Sequence, residues 1–294
     1  GKRTPEYSMN DPGYYSLPGA QHRFRDWKPG GHGRVDLHKS LVVSCDTYYY
    51  SLANDLGIDN IHSFIGQFGL GKKTGIDIEG EASGLLPSSA WKMNQHKQKW
   101  FAGDTISVAI GQGYNLTTPL QLAFATMIIA NNGKAYRPRL VKQIQNSQTG
   151  EVVDIPPELL YDINFKPRNL EVVKNALVDV TRPGGTAAKA GANAAYTFAG
   201  KTGTSQVVAI KQGERYNEKA IHERHRDHAM FIAYAPADDP KIALSILVEN
   251  TGTGGSTAAP IARQVFDYFL LGKTPEATVA LLDEPRGADA HNHL

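Results

Sequence analysis

Two runs of alternating apolar residues, His228–Pro236 and Lys241–Glu249, meet across the four residues Ala237-Asp238-Asp239-Pro240. Period-two alternation on both sides of a compact turn points to an antiparallel hairpin with one face on a core. Gln206–Ile210 reads as a third strand upstream. The rest of the chain supplies helices to cover such a sheet. Leu41, Cys45, Tyr48, Tyr49 and Leu52 recur at helical spacing and predict one helix from Leu37 to Leu56, closed by Gly57. A shorter helix fits Asn60 to Phe68. Thr118-Pro119 opens the next as N-cap and first-turn proline, and Asn132-Gly133 stops it. Further helices fit Leu170 to Val180 and residues 258–271. Residues 1–36 and 70–116 read as irregular, and 134–166 as exposed β structure. The expected fold class is α/β in the α+β sense: an antiparallel sheet flanked by helices.

Length and composition bound the function. At 294 residues and 41% hydrophobic, the chain can bury a large core, as one domain or two small ones. Lys+Arg 31 against Asp+Glu 29, with no long basic run, excludes a general nucleic-acid binder. No stretch approaches the roughly 18 apolar residues that span a bilayer, and no secretion leader opens the chain. Gly1 in place of Met reads as a piece of something longer. The single cysteine, Cys45, excludes an internal disulfide framework. After Lys273 the periodicity stops, so the expectation is one domain over 1–273 and a disordered tail over 274–294.

The sharpest local signal is Gly200-Lys201-Thr202-Gly203-Thr204, placed directly before the predicted strand Gln206–Ile210. A Lys-Thr-Gly at the lip of an edge strand sets an ammonium and a hydroxyl where they grip a carboxylate, and the strand's N–H faces a developing oxyanion. By itself the triplet also fits a solvated turn. Ser44-Cys45-Asp46 is the second signal: a serine beside a lysine relays protons, and the aspartate hydrogen-bonds substrate or the lysine. By itself it also fits a helix start decorated with polar residues. In chain order the two match the later members of the serine acyl-transfer set, Ser-x-x-Lys then Ser-x-Asn then Lys-Thr-Gly.

On these motifs the chain resembles the penicillin-binding proteins, and most closely their elongation-type class B members from Gram-negative bacteria. Asp11-Pro12-Gly13, Arg25-Asp26-Trp27, Thr74-Gly75-Ile76-Asp77, Gly103-Asp104-Thr105, Ile110-Gly111-Gln112-Gly113 and Arg226-Asp227-His228 extend the resemblance from about Pro5 to Lys273. Asp46 stands where that branch commonly replaces asparagine by aspartate. The resemblance implies the penicillin-recognising serine transpeptidase fold, with an all-helical lobe beside the sheet. It also implies a D,D-transpeptidase that cross-links peptidoglycan stem pentapeptides through a serine acyl-enzyme and is trapped by β-lactam antibiotics. Ser44, Asp46 and Lys201 would be catalytic, and Thr202, Gly203, Thr204 and Gln206 would bind substrate. Membrane glycosyltransferase and rod-shape scaffold proteins would be its partners, on the periplasmic face of the inner membrane, with the anchor outside this chain. The alternatives are a β-lactamase or D,D-carboxypeptidase-like hydrolase, and a non-catalytic penicillin-recognition module.

One departure stands out. The family's nucleophile precedes the segment matching Asp11, so it is expected upstream of Gly1, and this chain alone is expected to be inactive. The one Ser-x-x-Lys present, Ser89-Ala90-Trp91-Lys92, follows Ser44 and is expected to lack a helix holding both residues on one face; it reads as a decoy. Finally, Asp11, Asp26, His32 and Cys45 offer two carboxylates, an imidazole and a thiolate, a four-coordinate zinc set. The same residues also fit a buried thiol and turn-capping aspartates. Some elongation-type relatives look equipped with the same ligands, so a structural zinc is expected. His222, His225 and His228 read instead as a solvated segment, and Asp104 and Gln112 as cleft-border or loop-packing residues.

Overall fold

The computed structural model describes residues 2–208, 221–251 and 253–274. Its N-terminal part is turn-rich. Strand β1 (Met9–Asp11) pairs with β4 (Gly33–Val35), and β2 (Tyr14–Tyr15) pairs with β3 (Phe24–Arg25) between them. Two glycines make this corner possible. A Cβ on Gly31 would lie 2.2 Å from the carbonyl of Asp11, and both Gly13 and Gly31 hold positive φ.

Helices follow: α1 (Leu37–Val42), α2 (Asp46–Leu56), α3 (Ile58–Ile65), α4 (Ser89–His96), α5 (Ala102–Val108) and α6 (Pro119–Ala130). The single helix expected over Leu37–Leu56 is two helices. Val43–Cys45 break it, with Ser44 at φ +57°, a left-handed conformation that no helix interior accepts. The region expected to be irregular contains α4 and α5. α4 is polar on most faces and buries Lys92 where an apolar residue would be the norm, and α5, only seven residues long, buries Thr105, Ile106 and Val108. The N-cap of α6 is as expected: Thr118 accepts from the Gln121 N–H, while Gln121 reaches back to the Thr118 N–H.

Two small pairs come next, β5 (Lys134–Tyr136) with β8 (Leu159–Asp162) and β6 (Gln143–Gln145) with β7 (Val152–Asp154). Helices α7 (Pro167–Asp179) and α8 (Ala188–Gly191) lead to β9 (Ala199–Ser205), β10 (His228–Ala235), β11 (Ile242–Val248) and α9 (Ala258–Leu271). The sheet order is β11-β10-β9, antiparallel throughout. The expected hairpin is present, in register from Ala229 opposite Val248 to Ala235 opposite Ile242. The strand expected over Gln206–Ile210 lies earlier, so Lys201-Thr202-Gly203 sits inside β9 and not before it. Residues 209–210 and the tail from 275 lie outside the described residues.

Both faces of the sheet are covered. Phe198, Phe231 and Ala233 pack with Ala262 and Phe266 of α9 on one side, with Phe198 and Phe266 edge to face at 5.5 Å. Ala199 and Tyr234 pack with Ala130 of α6 and Leu177 of α7 on the other. Burial of this kind, at roughly 25 cal/mol per Å² of apolar surface, holds β9 in place.

Candidate active site and metal centre

Ser44 and Lys201 come from opposite halves of the chain. The broken helix aims the serine at the sheet, and the Lys201 Nζ donates to its Oγ at 2.7 Å. A second donation, to the carbonyl of Thr202 at 2.9 Å, fixes the ammonium along its own strand. Burial lowers the Lys201 pKa to about 8, against the opposing pull of Asp46. Asp46 opens α2 on the same side. Burial raises its pKa to about 7 and nearby Asp26 adds to that, while the Trp27 N–H, at 3.2 Å, works against the shift. The group is thus a half-buried hydroxyl, amine and carboxyl, the amine and carboxyl both shifted toward neutrality, a combination able to relay protons.

The strand around Lys201 is shaped by small residues. A Cβ on Gly200 would lie 2.3 Å from the Phe231 ring. A Cβ on Gly254 would lie 2.0 Å from the Met230 carbonyl and 2.6 Å from that of Gly203, so the loop before α9 rests directly on β9 and β10. Thr202 Oγ1 meets Thr186 Oγ1 at 2.8 Å, and the Thr186 N–H donates to Val42 of α1. Thr186 was not evident from sequence, because no motif marks a hydroxyl in a Gly-rich connection. Thr204 is exposed on β9, and Gln206 follows the last strand residue.

Asp11, Asp26, His32 and Cys45 converge, with one donor atom from each all within 4.8 Å of one another. His32 Nδ1 is 2.8 Å from Asp11 Oδ2 and 3.5 Å from Asp26 Oδ1, and Cys45 Sγ is 3.4 Å from Asp11 Oδ2. The remaining carboxylate capacity is held by backbone: Gly13 and His32 donate to Asp11, Lys28 and Thr47 to Asp26. Although burial opposes it, the Gly13 N–H and other donors hold the Asp11 pKa at about 2. Burial pushes the Cys45 thiol upward. Two carboxylates, an imidazole nitrogen and a buried sulfur turned to one point fit a four-coordinate zinc, whose charge would draw off the thiol proton. Among the described residues this is the one such cluster. His222 instead accepts from Arg224 N–H and His228 from Asn250 N–H.

Trp27 joins the two groups and was missed as such by spacing and periodicity. Its Nε1–H is shared between the carbonyls of Val43 and Ser44, while its ring lies 5.5 Å from that of His32.

Ser89 and Lys92 do share a helix, α4, contrary to expectation. They serve other partners. Ser89 Oγ donates to Asp59 at 2.6 Å. Lys92 is paired with Asp104 and lies over the rings of Phe101, Tyr114 and Trp100. The Asp104 bond raises the Lys92 pKa and keeps it charged. Gln112 reaches β9 itself, donating from Nε2 to the Thr204 carbonyl at 3.0 Å.

Comparison with known proteins bears on all of this. Residues 1–267 match the family described as "Penicillin binding protein transpeptidase domain". The chain is 47% identical over 266 residues to "Peptidoglycan D,D-transpeptidase MrdA" of Acinetobacter baumannii, covering 90% of this chain and 39% of that protein. The crystal structure of Pseudomonas aeruginosa PBP2 in complex with WCK 5153 is similar at TM-score 0.80 and 41% identity, over 97% of this chain and 58% of that one. PBP2 of Helicobacter pylori, solved in complex with MreC, is similar at TM-score 0.77 and 31% identity, over 92% of this chain and 46% of that one. The chain thus spans less than half the length of the curated relative.

Proposed function

The chain belongs to the penicillin-binding protein transpeptidase family, and from that premise we propose that it forms the larger part of a peptidoglycan D,D-transpeptidase domain of the elongation type. The acylated serine belongs to residues outside these 294, since the Ser89 and Lys92 present here are committed to Asp59 and Asp104. That serine's Oγ attacks the carbonyl of the penultimate D-Ala of a stem pentapeptide. An ester forms, the peptide C–N bond breaks, and the departing D-Ala amine takes up a proton. An amine of a second stem then attacks the ester, restores the serine hydroxyl and leaves an amide cross-link.

Within this reaction Ser44 passes the proton between the base at the nucleophile and the leaving amine. Lys201 keeps the Ser44 hydroxyl oriented, and Asp46 beside it steadies the ammonium. Lys201, Thr202 and Thr204 bind the terminal carboxylate of the substrate, with Gly203 allowing close approach, and a backbone N–H near Gln206 stabilises the oxyanion. β-Lactams enter as mimics of the D-Ala-D-Ala end. Asp11, Asp26, His32 and Cys45 hold a structural zinc that clips β1, the Asp26 turn and the start of α2 together. Partners are a rod-shape scaffold protein and a membrane glycosyltransferase; PBP2 of Helicobacter pylori forms a complex with MreC. The domain works at the periplasmic face of the inner membrane; among the described residues no helix is long and apolar enough to cross it.

The observation that carries this reading is the 2.7 Å contact between Lys201 Nζ and Ser44 Oγ across 157 residues of sequence. A fluorescent penicillin and the full-length protein test it. Covalent labelling of the wild type, with loss of about 100-fold or more in rate for Lys201→Ala and Ser44→Ala, is expected of groups acting in acyl transfer. Equal labelling of wild type and both variants would refute the assignment.

A further inference from the structure

The bond from Gln112 to the sheet plays no part in the chemistry above, yet it lies where a ligand backbone would have to go. Gly111 and Gly113, at φ +80° and +69°, fold the segment after α5 into a tight loop. The Gln112 N–H donates to the Ser107 carbonyl at 3.1 Å and the Gly111 N–H to Val108 at 2.9 Å, so the loop backbone is pinned to α5. The side chain is not pinned in this way. It spans 92 residues of sequence to donate to the carbonyl of Thr204, an exposed residue on β9, the end strand of the sheet. Open edge strands receive extended peptides by main-chain pairing, the guest's N–H groups donating to carbonyls of the host. A peptide whose carboxylate is held at Lys201 and Thr202 runs along this same edge, and the Thr204 carbonyl is the acceptor within its reach.

We propose that Gln112 is a specificity-determining positioning residue whose side-chain amide stands in for the substrate's backbone N–H at the Thr204 carbonyl until a ligand displaces it. This rests on the D,D-transpeptidase reading and adds to it what the edge strand selects. A ligand that brings an amide N–H replaces the bond it breaks, so the exchange is nearly balanced. A ligand without such an N–H leaves Gln112 where it is and gains nothing from the strand. Swapping one neutral hydrogen bond for another is nearly neutral, so Gln112 holds down the advantage that peptide-like donors would otherwise draw from the strand.

The test uses the full-length protein as wild type, Gln112→Ala and Gln112→Glu. Second-order acylation rates are measured with two β-lactams, a penicillin bearing an acylamino side chain and a carbapenem without one. With the competing donor gone, the penicillin-to-carbapenem rate ratio is expected to rise about three- to ten-fold in both variants. Gln112→Glu keeps the bulk of the side chain and removes the donor, so it decides the matter alone if Gln112→Ala melts far below wild type. A ratio that stays level or falls in Gln112→Glu overturns the role of Gln112. Wild type that takes up neither drug overturns the transpeptidase reading itself, and the role of Gln112 with it.

Discussion

The Trp27 Nε1–H donates to the Ser44 carbonyl at 2.9 Å. Trp27 follows Asp26 in the chain and Ser44 precedes Cys45, so one indole bond ties Ser44 to two members of the four-residue cluster. Ser44 also holds φ +57°, a conformation that costs a non-glycine residue about 1 kcal/mol or more. The Trp27 and Lys201 bonds add to the local main-chain bonds there, Ser44 N–H to Leu41 and Cys45 N–H to Ser40.

Trp27→Phe keeps an aromatic ring and removes the donor. Loss of one bond of this kind is worth about 1 kcal/mol, which predicts a fall of about five-fold in the labelling rate by a fluorescent penicillin. The melting temperature should drop little, because the side chain is 59% exposed and contributes little buried area. A labelling rate equal to wild type would show that Ser44 needs no support from this side.

If zinc clips the cluster, protein purified without chelator carries about one zinc per chain by elemental analysis. Cys45→Ala should lose most of it, and chelation of the wild type should lower its melting temperature to near that of the variant. Hydrogen exchange gives a readout independent of activity. The amides of Ser44–Thr47, among them the Thr47 N–H now bonded to Asp26, should exchange faster in both cases. Zinc-free protein with unchanged melting and exchange would leave the four residues as ordinary turn caps and a buried thiol.

The parts of the fold legible in sequence are those where burial alternates with period two or recurs with the helical period. Strands β10 and β11 were placed within one residue at each end. Strand β9 was placed too late for a physical reason. Its residues are small because Phe231 lies against Gly200 and the Gly254 loop against Gly203, so the strand carries no apolar alternation to read. The break at Ser44 was invisible because a non-glycine residue takes the left-handed position that closes α1, with local main-chain bonds from Ser44 N–H to Leu41 and from Cys45 N–H to Ser40. Helix α4 was missed because its buried position is Lys92, stabilised by Asp104 and three rings in place of an apolar core. The meeting of Ser44 and Lys201 was legible through motif order, which does not say which neighbours hold them.

Lys201 makes stability depend on pH in a defined direction. Its pKa falls from 10.5 to about 8 on folding, chiefly through burial. Below about 8 both states bind the proton, and the folded state bears the full cost of a buried ammonium. Between about 8 and 10.5 the unfolded chain holds the proton and the folded one does not, so stability rises with pH. Lys201→Met removes this dependence and serves as the control. The difference in urea midpoint, wild type minus Lys201→Met, should therefore increase from pH 7.5 to pH 9.5. A difference that is flat or decreasing over that range contradicts a desolvated, destabilised ammonium.

Ser89 offers the opposite kind of test, since it matches the nucleophile pattern while bonding elsewhere. Its hydroxyl and its N–H both donate to Asp59 on α3, at 2.6 and 2.9 Å, and Lys92 one turn later is held charged by Asp104. A protonated lysine is no base, and the Asp59 carboxylate, its pKa lowered by the same bonds, is a weak one. Ser89→Ala in the full-length protein should keep covalent penicillin labelling within about two-fold, with a stability change of about 0.5 kcal/mol, because the Asp59 bond lies at the surface. The same bonds lower the Asp59 pKa, so their stabilisation is present at neutral pH and fades as acid protonates the folded carboxylate. Variant and wild type should then converge in melting temperature at low pH. Loss of labelling in Ser89→Ala, by contrast, would relocate the nucleophile to α4 and require a cleft there that Ser44 and Lys201 do not line.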